Sequence, residues 1–279
     1  MAQKVPKQKP FMDGLKRIRR ATMIELENTE VVGWEAAIRG MRNPMNSWER
    51  SDSQPCKSGD GFEDCRVGVH GSCPRGDEDY FKEDIFCVGK NDFELMQRLA
   101  RAGTDHRKFM RMIVVYVDVT APLYWWKEFK TYRAGKRWGD EEPDAFVIPS
   151  DYLEYDIEMN SCSTMHTLDK RDLELEDFSM DSIKENDVAV QLFCDVIERI
   201  NALRRWYKEG GEKSYWREMI QLLPSSYNQR RTLMLNYEVL ANIYRARRNH
   251  KLTEWREFCR WIESLPYSEL ITGKEKLDD

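Results

Sequence analysis

Apolar and polar positions alternate along this chain with periods that change from block to block, and each period predicts an element. Trp34 to Met41 carries helical spacing and is closed by the turn signal Asn43-Pro44. From residue 91 onward Phe93, Leu95, Met96 and Leu99 recur at helical intervals. Asn91 is the predicted cap of that helix, Glu94 completes a capping box, and Gly103 stops it. Over residues 111–120 the period falls to two, with Ile113, Val115, Val117 and Val119 on one face and Met112, Tyr116, Asp118 and Thr120 on the other, as in a strand. Pro122 suits the first turn of a helix that carries Trp125, Trp126, Phe129 and Tyr132. Val188, Leu192, Val196, Ile200 and Leu203 predict a long amphipathic helix over 187–208, ended by Gly210-Gly211. A third long helix is expected over 228–248, with Leu233, Tyr237, Leu240 and Tyr244 on one face, and a last one over Thr253 to Ser264, before Pro266. No internal repeat is evident, and these elements add up to a helix-rich α+β domain.

Composition narrows the class. The 279 residues are 41% hydrophobic and 11% aromatic, with nine Trp, which is ample core material despite a mean hydropathy of -0.72. No apolar run approaches the roughly 18 residues of a membrane span, and residues 1–20 lack the apolar stretch of a signal peptide, so the expected address is cytoplasmic. Those first residues hold seven Lys and Arg against Asp13 and read as a basic, flexible arm, with 21–279 as a single catalytic domain. Two polar stretches, about 49–90 and 135–158, read as insertions. Seven cysteines without a secretion signal point to reduced thiols. Cys56, Cys65, His70 and Cys73 raise a zinc knuckle, but gaps of eight and seven residues are unlike the close Cys pairs of structural zinc, so no metal is expected. The formal charge of -5 and pI near 5.6 disfavour a general nucleic-acid binder, and any polyanion site must be local.

Three segments gather phosphate-binding groups without an apolar period to explain them: 104–111, 131–133 together with 160–166, and 236–254. In the last, Asn236, Asn242 and Arg247 fall off the apolar stripe, and a solvated helix face is the plain alternative. Ser161, Ser163 and Thr164 suit a phosphate cradle if arginines lie near, although such clusters also make ordinary turns.

Leu223-Pro224, then Arg230, Asn236, Asn242, Arg247, His250 and Glu254, resemble the C-terminal signature of the flavin-dependent thymidylate synthases, with N-x5-N-x4-R reproduced without a gap and the step to His250 one residue shorter. The segment from Ala102-Gly103 to Arg111 resembles that family's Gly-His-x-Ser/Thr-x-x-Glu-His stretch, and Asn160 to His166 stands where the family has N-E-x-S-x-R-Y. The resemblance spans roughly residues 91–265. It departs where the family has Arg-His-Arg and this chain has Thr131-Tyr132-Arg133, and where Ser161 and Met165 replace a glutamate and a nucleotide-binding arginine.

The resemblance implies a central, mostly antiparallel sheet and a homotetramer. It implies flavin contacts from His106, Arg107, Asn236, Asn242 and His250, with Arg133 and Arg247 on the nucleotide and Ser163 and Thr164 at its phosphate. The implied reaction is one-carbon transfer to C5 of a deoxypyrimidine monophosphate, dUMP to dTMP, with FAD, methylenetetrahydrofolate as donor and NADPH as a candidate reductant. No cysteine nucleophile is used in the family, so Cys162 beside Ser163 need not be catalytic. The departures keep open a hydroxymethylase acting on dCMP or dUMP. A non-catalytic nucleotide or nucleic-acid binder, with Arg17 to Arg20 and Arg245 to Lys251 as basic patches, is a further alternative.

Overall fold

The computed structural model describes residues 24–55, 86–103, 105–130, 157–182 and 188–273. The expectations placed on the basic arm, on Cys56 to Cys73, on Thr131 to Arg133 and on nearly all of 135–158 fall outside them. In chain order the elements are β1 (Glu25–Val32), α1 (Trp34–Arg42), β2 (Gln54–Pro55), β3 (Phe86–Cys87), α2 (Lys90–Arg101), β4 (Val114–Pro122), α3 (Leu123–Phe129) and β5 (Glu158–Ser161). They continue with α4 (Thr164–Thr167), α5 (Val188–Gly210), α6 (Lys213–Leu222), β6 (Asn228–Asn236), α7 (Tyr237–Arg247), α8 (Thr253–Ser264) and α9 (Glu269–Thr272). Four strands lie side by side in the order β1-β4-β6-β5, and β2 pairs antiparallel with β3. The chain is thus helix-rich with an antiparallel sheet, the expected class.

The described residues fall into two compact units. The first takes in 24–27, 118–130, 159–182 and 188–232. Its core is built by the α5/α6 hairpin, where Val190, Ile200, Leu203 and Met219 bury together with Phe178 from the segment before it. Gly211 turns the chain at φ 68°, donating its N–H to the Tyr207 carbonyl at 2.8 Å, so the predicted stop holds. The predicted stripe does not hold at its start: Val188 is 83% and Leu192 64% exposed, while Val190 and Ile197 are buried. A row of residues four apart advances about 40° per step around a helix of 3.6 residues per turn, so it cannot stay on one face over three steps.

The second unit takes in 28–55, 86–103, 105–117, 157–158 and 233–273. Ile113, Val115 and Val117 are buried and Tyr116 is exposed, as the period of two requires, although β4 starts later than expected because Lys108–Met112 form a 3₁₀ turn. Helix α7 is buried nearly all round its first two turns, from Tyr237 to Tyr244, and packs on α8, on α9 and on the 108–112 turn. Trp34 stands edge-on to Tyr237 and Tyr267 with ring centroids 5.3 and 5.1 Å apart. Gly33, at φ 93°, caps α1 where an added Cβ would sit 2.1 Å from the Met112 carbonyl oxygen, so only glycine fits.

Two predictions are corrected here. Residues 228–236, expected as helix, are the strand β6, in which Arg231, Leu233 and Leu235 are buried and Arg230 and Thr232 are exposed. Asn236 ends that strand and caps α7 by accepting the Val239 N–H at 2.9 Å. Nor does Asn91 cap α2, which begins at Lys90 after Gly89 and has no side-chain cap of its own. The carboxylate of Asp52 accepts the N–H groups of Asn91 and Asp92 at 2.9 and 3.1 Å instead, so the cap is supplied from a distant loop.

Candidate functional site

The 108–112 turn and the start of α7 meet at one buried carboxylate. Glu238, in the first turn of α7 where negative charge complements the helix dipole, is 5% exposed. Arg107 Nε donates to its Oε1 at 3.3 Å and Arg111 Nε to its Oε2. Arg107, itself buried, also donates through Nη2 to the Asn242 side-chain oxygen, at a longer 3.5 Å. Asn242 lies one helical turn beyond Glu238, which lets both acceptors face one guanidinium.

Arg107 is also part of the wall of a cavity of about 660 Å³ within this unit. The end of α2 contributes Arg101, the far end of α7 contributes Arg245 and Arg248, and α9 contributes Glu269 and Leu270. Four arginines therefore share this space with one carboxylate, a setting that favours an anion of more than one charge. The volume falls within the roughly 300–1,000 Å³ of small-molecule and cofactor sites.

The other proposed residues of this unit are spread around α7 and α8. Asn236 is 7% exposed and its side-chain oxygen is committed to the cap. His106 is exposed after the end of α2. Arg247 is half-buried with its guanidinium 4.9 Å from the Trp255 ring centroid. His250, half-buried against the same ring, accepts the Leu252 N–H on Nδ1 at 3.2 Å. Glu254 is buried.

Ser163 and Thr164 belong to the first unit. Ser163 Oγ lies 2.8 Å from His166 Nδ1, and Thr164 Oγ1 accepts from Gln229 Nε2 at 3.2 Å. Gln229 holds this loop: its Nε2 also donates to the Cys162 carbonyl at 2.6 Å, and its Oε1 accepts from Arg231 Nη2 at 2.7 Å. Arg231 is buried 4.3 Å over the Trp126 ring, whose Nε1–H donates back to the Gln229 carbonyl at 2.9 Å. Arg230, in contrast, is exposed and pairs with Glu27 and Asp118. Cys162 and Met165 are exposed.

Gln229, Glu238 and Arg101 were not singled out from sequence, and Arg245 and Arg248 entered only as part of the basic patch Arg245 to Lys251. Arginines in the last turn of a helix ordinarily read as dipole complements, and nothing local shows that the ends of α2 and α7 border one cavity. Among the described residues no three His, Cys, Asp or Glu side chains gather as a metal set, and no helix is long and apolar enough to cross a membrane.

No protein-family description and no curated protein sequence matches this chain. Solved structures do, and they define the class: the chain has the fold of the flavin-dependent thymidylate synthases. One is the ThyX enzyme of Helicobacter pylori complexed with FAD and dUMP, with a TM-score of 0.56 at 14% identity over 89% of this chain and 98% of that one. A second structure of that enzyme, also with FAD and dUMP, gives 0.55 at 14% identity over 90% and 98%. At this identity the likeness is one of fold.

Proposed function

We propose that this chain transfers one carbon to C5 of a deoxypyrimidine monophosphate, most directly dUMP to dTMP, using FAD and methylenetetrahydrofolate. The observation that carries the reading is the arginine-lined cavity, on a fold whose solved examples hold FAD and dUMP. Its donor set fits the phosphates of a dinucleotide, because guanidinium groups bind such oxygens through paired charge-assisted hydrogen bonds. Arg107 with Arg101, Arg245 and Arg248 would hold that part of the cofactor. Asn242, Asn236, His250 and His106 would address the flavin ring system. When bound, FAD supplies hydride transfer, with NADPH as the candidate reductant.

What the chain itself contributes is orientation and charge. Arg247, braced on Trp255, and Arg133 would neutralise the substrate phosphate, and Ser163 and Thr164 would donate hydroxyl hydrogen bonds to it. Gln229 sets the backbone of that loop through the Cys162 carbonyl. The resemblance further supports a homotetramer. Ser161 and Met165, where the family has a glutamate and an arginine, support a second reading in which dCMP or dUMP is hydroxymethylated.

Purified protein is expected to be yellow. With methylenetetrahydrofolate, NADPH and dUMP it is expected to give a product heavier by CH2, measured by mass spectrometry. A gain of CH2O, or turnover of dCMP alone, would select the second reading. Colourless protein that binds no added FAD would overturn both.

A further inference from the structure

We infer that Glu238 is a positioning residue, whose carboxylate fixes the Arg107 guanidinium so that its outer N–H groups face the cavity; this rests on reading the cavity as the phosphate site of the flavin dinucleotide. Arg107 and Glu238 have side chains 8% and 7% exposed, and the contact uses Nε, leaving the two terminal nitrogens for other partners. One of these reaches Asn242, on the turn after Glu238, so the plane of the guanidinium is defined at two points. An arginine fixed in this way offers a pre-organised fork to a phosphate oxygen pair. Glu238's second oxygen is occupied by Arg111, which ties the carboxylate to the same 108–112 turn and limits its own rotation.

The sign of the effect separates this role from simple electrostatics. Removing a negative charge beside an anion site should strengthen anion binding if charge alone matters. If positioning matters, the same removal weakens it. The measurement is the affinity of the full chain for FAD and for riboflavin, which lacks both phosphates and the adenosine, followed by flavin fluorescence; the change in their ratio between wild type and variant reports what the variant does to binding of the ADP portion. Glu238→Gln is expected to lower the FAD-to-riboflavin ratio by roughly tenfold, with riboflavin affinity changed less than about twofold. Arg107→Lys, which keeps the charge without the fork, is expected to lose a similar factor, and the double variant is expected to lose no more than Arg107→Lys alone. A ratio that stays at the wild-type value or rises in Glu238→Gln overturns the inference. So does a wild-type ratio in Arg107→Lys, which decides the matter even if the first variant fails to fold. If the wild-type chain binds FAD no more tightly than riboflavin, the cavity reading fails first and takes this inference with it.

Discussion

Two buried carboxylates in the second unit share a local chemistry and differ in what surrounds them. Asp92 and Glu238 each stand in the first turn of a helix and each takes an arginine. Asp92 is fully buried, and every direction around it is filled. Arg42 Nε meets it at 2.6 Å, the hydroxyls of Ser51 and Ser53 at 2.7 and 2.6 Å, and the N–H groups of Asp52 and Ser53 at 3.2 Å. Arg42 in turn spends its other nitrogens on the Ser47 and Arg50 carbonyls. Glu238, by contrast, holds Arg107 at the edge of a cavity. A closed network of this kind fixes a loop onto a helix, whereas one with an arginine on an open wall can bind something.

The comparison breaks most sharply at Asp92. Asp92→Ala strands the Arg42 guanidinium in the interior and is expected to cost about 3–5 kcal/mol in urea unfolding. The FAD-to-riboflavin ratio of the protein that remains folded should be unchanged. A loss below about 1 kcal/mol, or a changed ratio, would show that the two carboxylates are not divided between stability and binding.

Acid provides a second test of the same difference. Burial works against the Asp92 charge, but hydrogen bonds from Ser53, Ser51 and Arg42 outweigh it and hold its pKa below the ordinary 3.8. A carboxylate depressed in the folded state contributes stability above its unfolded pKa and loses it as pH falls through the folded value. Wild-type protein should therefore lose stability steeply below about pH 4, and Asp92→Asn, though weaker at pH 7, should show a shallower fall there. Parallel pH curves for the two proteins would mean that Asp92 does not titrate differently on folding.

The same pair of regions shows what a sequence can disclose. Helix α8 was legible to the residue, and the faces of β4 were legible too, because each has one period over its whole length. Residues 233–237 satisfy both periods: Leu233 and Leu235 are two apart, and Leu233 and Tyr237 four apart. The helical choice therefore ran past Asn236, whose capping chemistry marked the true boundary. In the candidate site Arg107 and Asn242 were both singled out, and they are in contact. Glu238 was hidden because a glutamate in a first helical turn already has a local explanation, and Asp52 because its helix begins about 40 residues later.

Asp52 offers a smaller perturbation on the closed side. Asp52→Ala removes the borrowed cap of α2 and is expected to cost about 1 kcal/mol. Gly89→Ala would displace the same carboxylate, since the new Cβ would lie 2.3 Å from the Asp52 carboxyl carbon, besides meeting the Asp52 carbonyl oxygen at 2.5 Å. Because both act on one interaction, the double variant should be less destabilised than the two single losses combined. Full additivity in thermal unfolding would mean that Asp52 and Gly89 act separately.

The smallest effect belongs on the open side, at the rim. Arg248 lines the cavity but is exposed to solvent, unlike Arg107, which is buried and held at two points. An exposed guanidinium attracts an anion through water and gains only about 0.2–1 kcal/mol, a factor of roughly 1.4 to 5 in affinity. Arg248→Gln should therefore weaken FAD binding by about that factor at low salt and have almost no effect near 1 M salt, where screening reaches only about 3 Å. The loss in Arg107→Lys should persist under the same salt, because it reflects geometry in a desolvated pocket rather than charge at a distance. If both losses vanished together with salt, Arg107 would be acting as another rim charge, and Glu238 would have nothing to position.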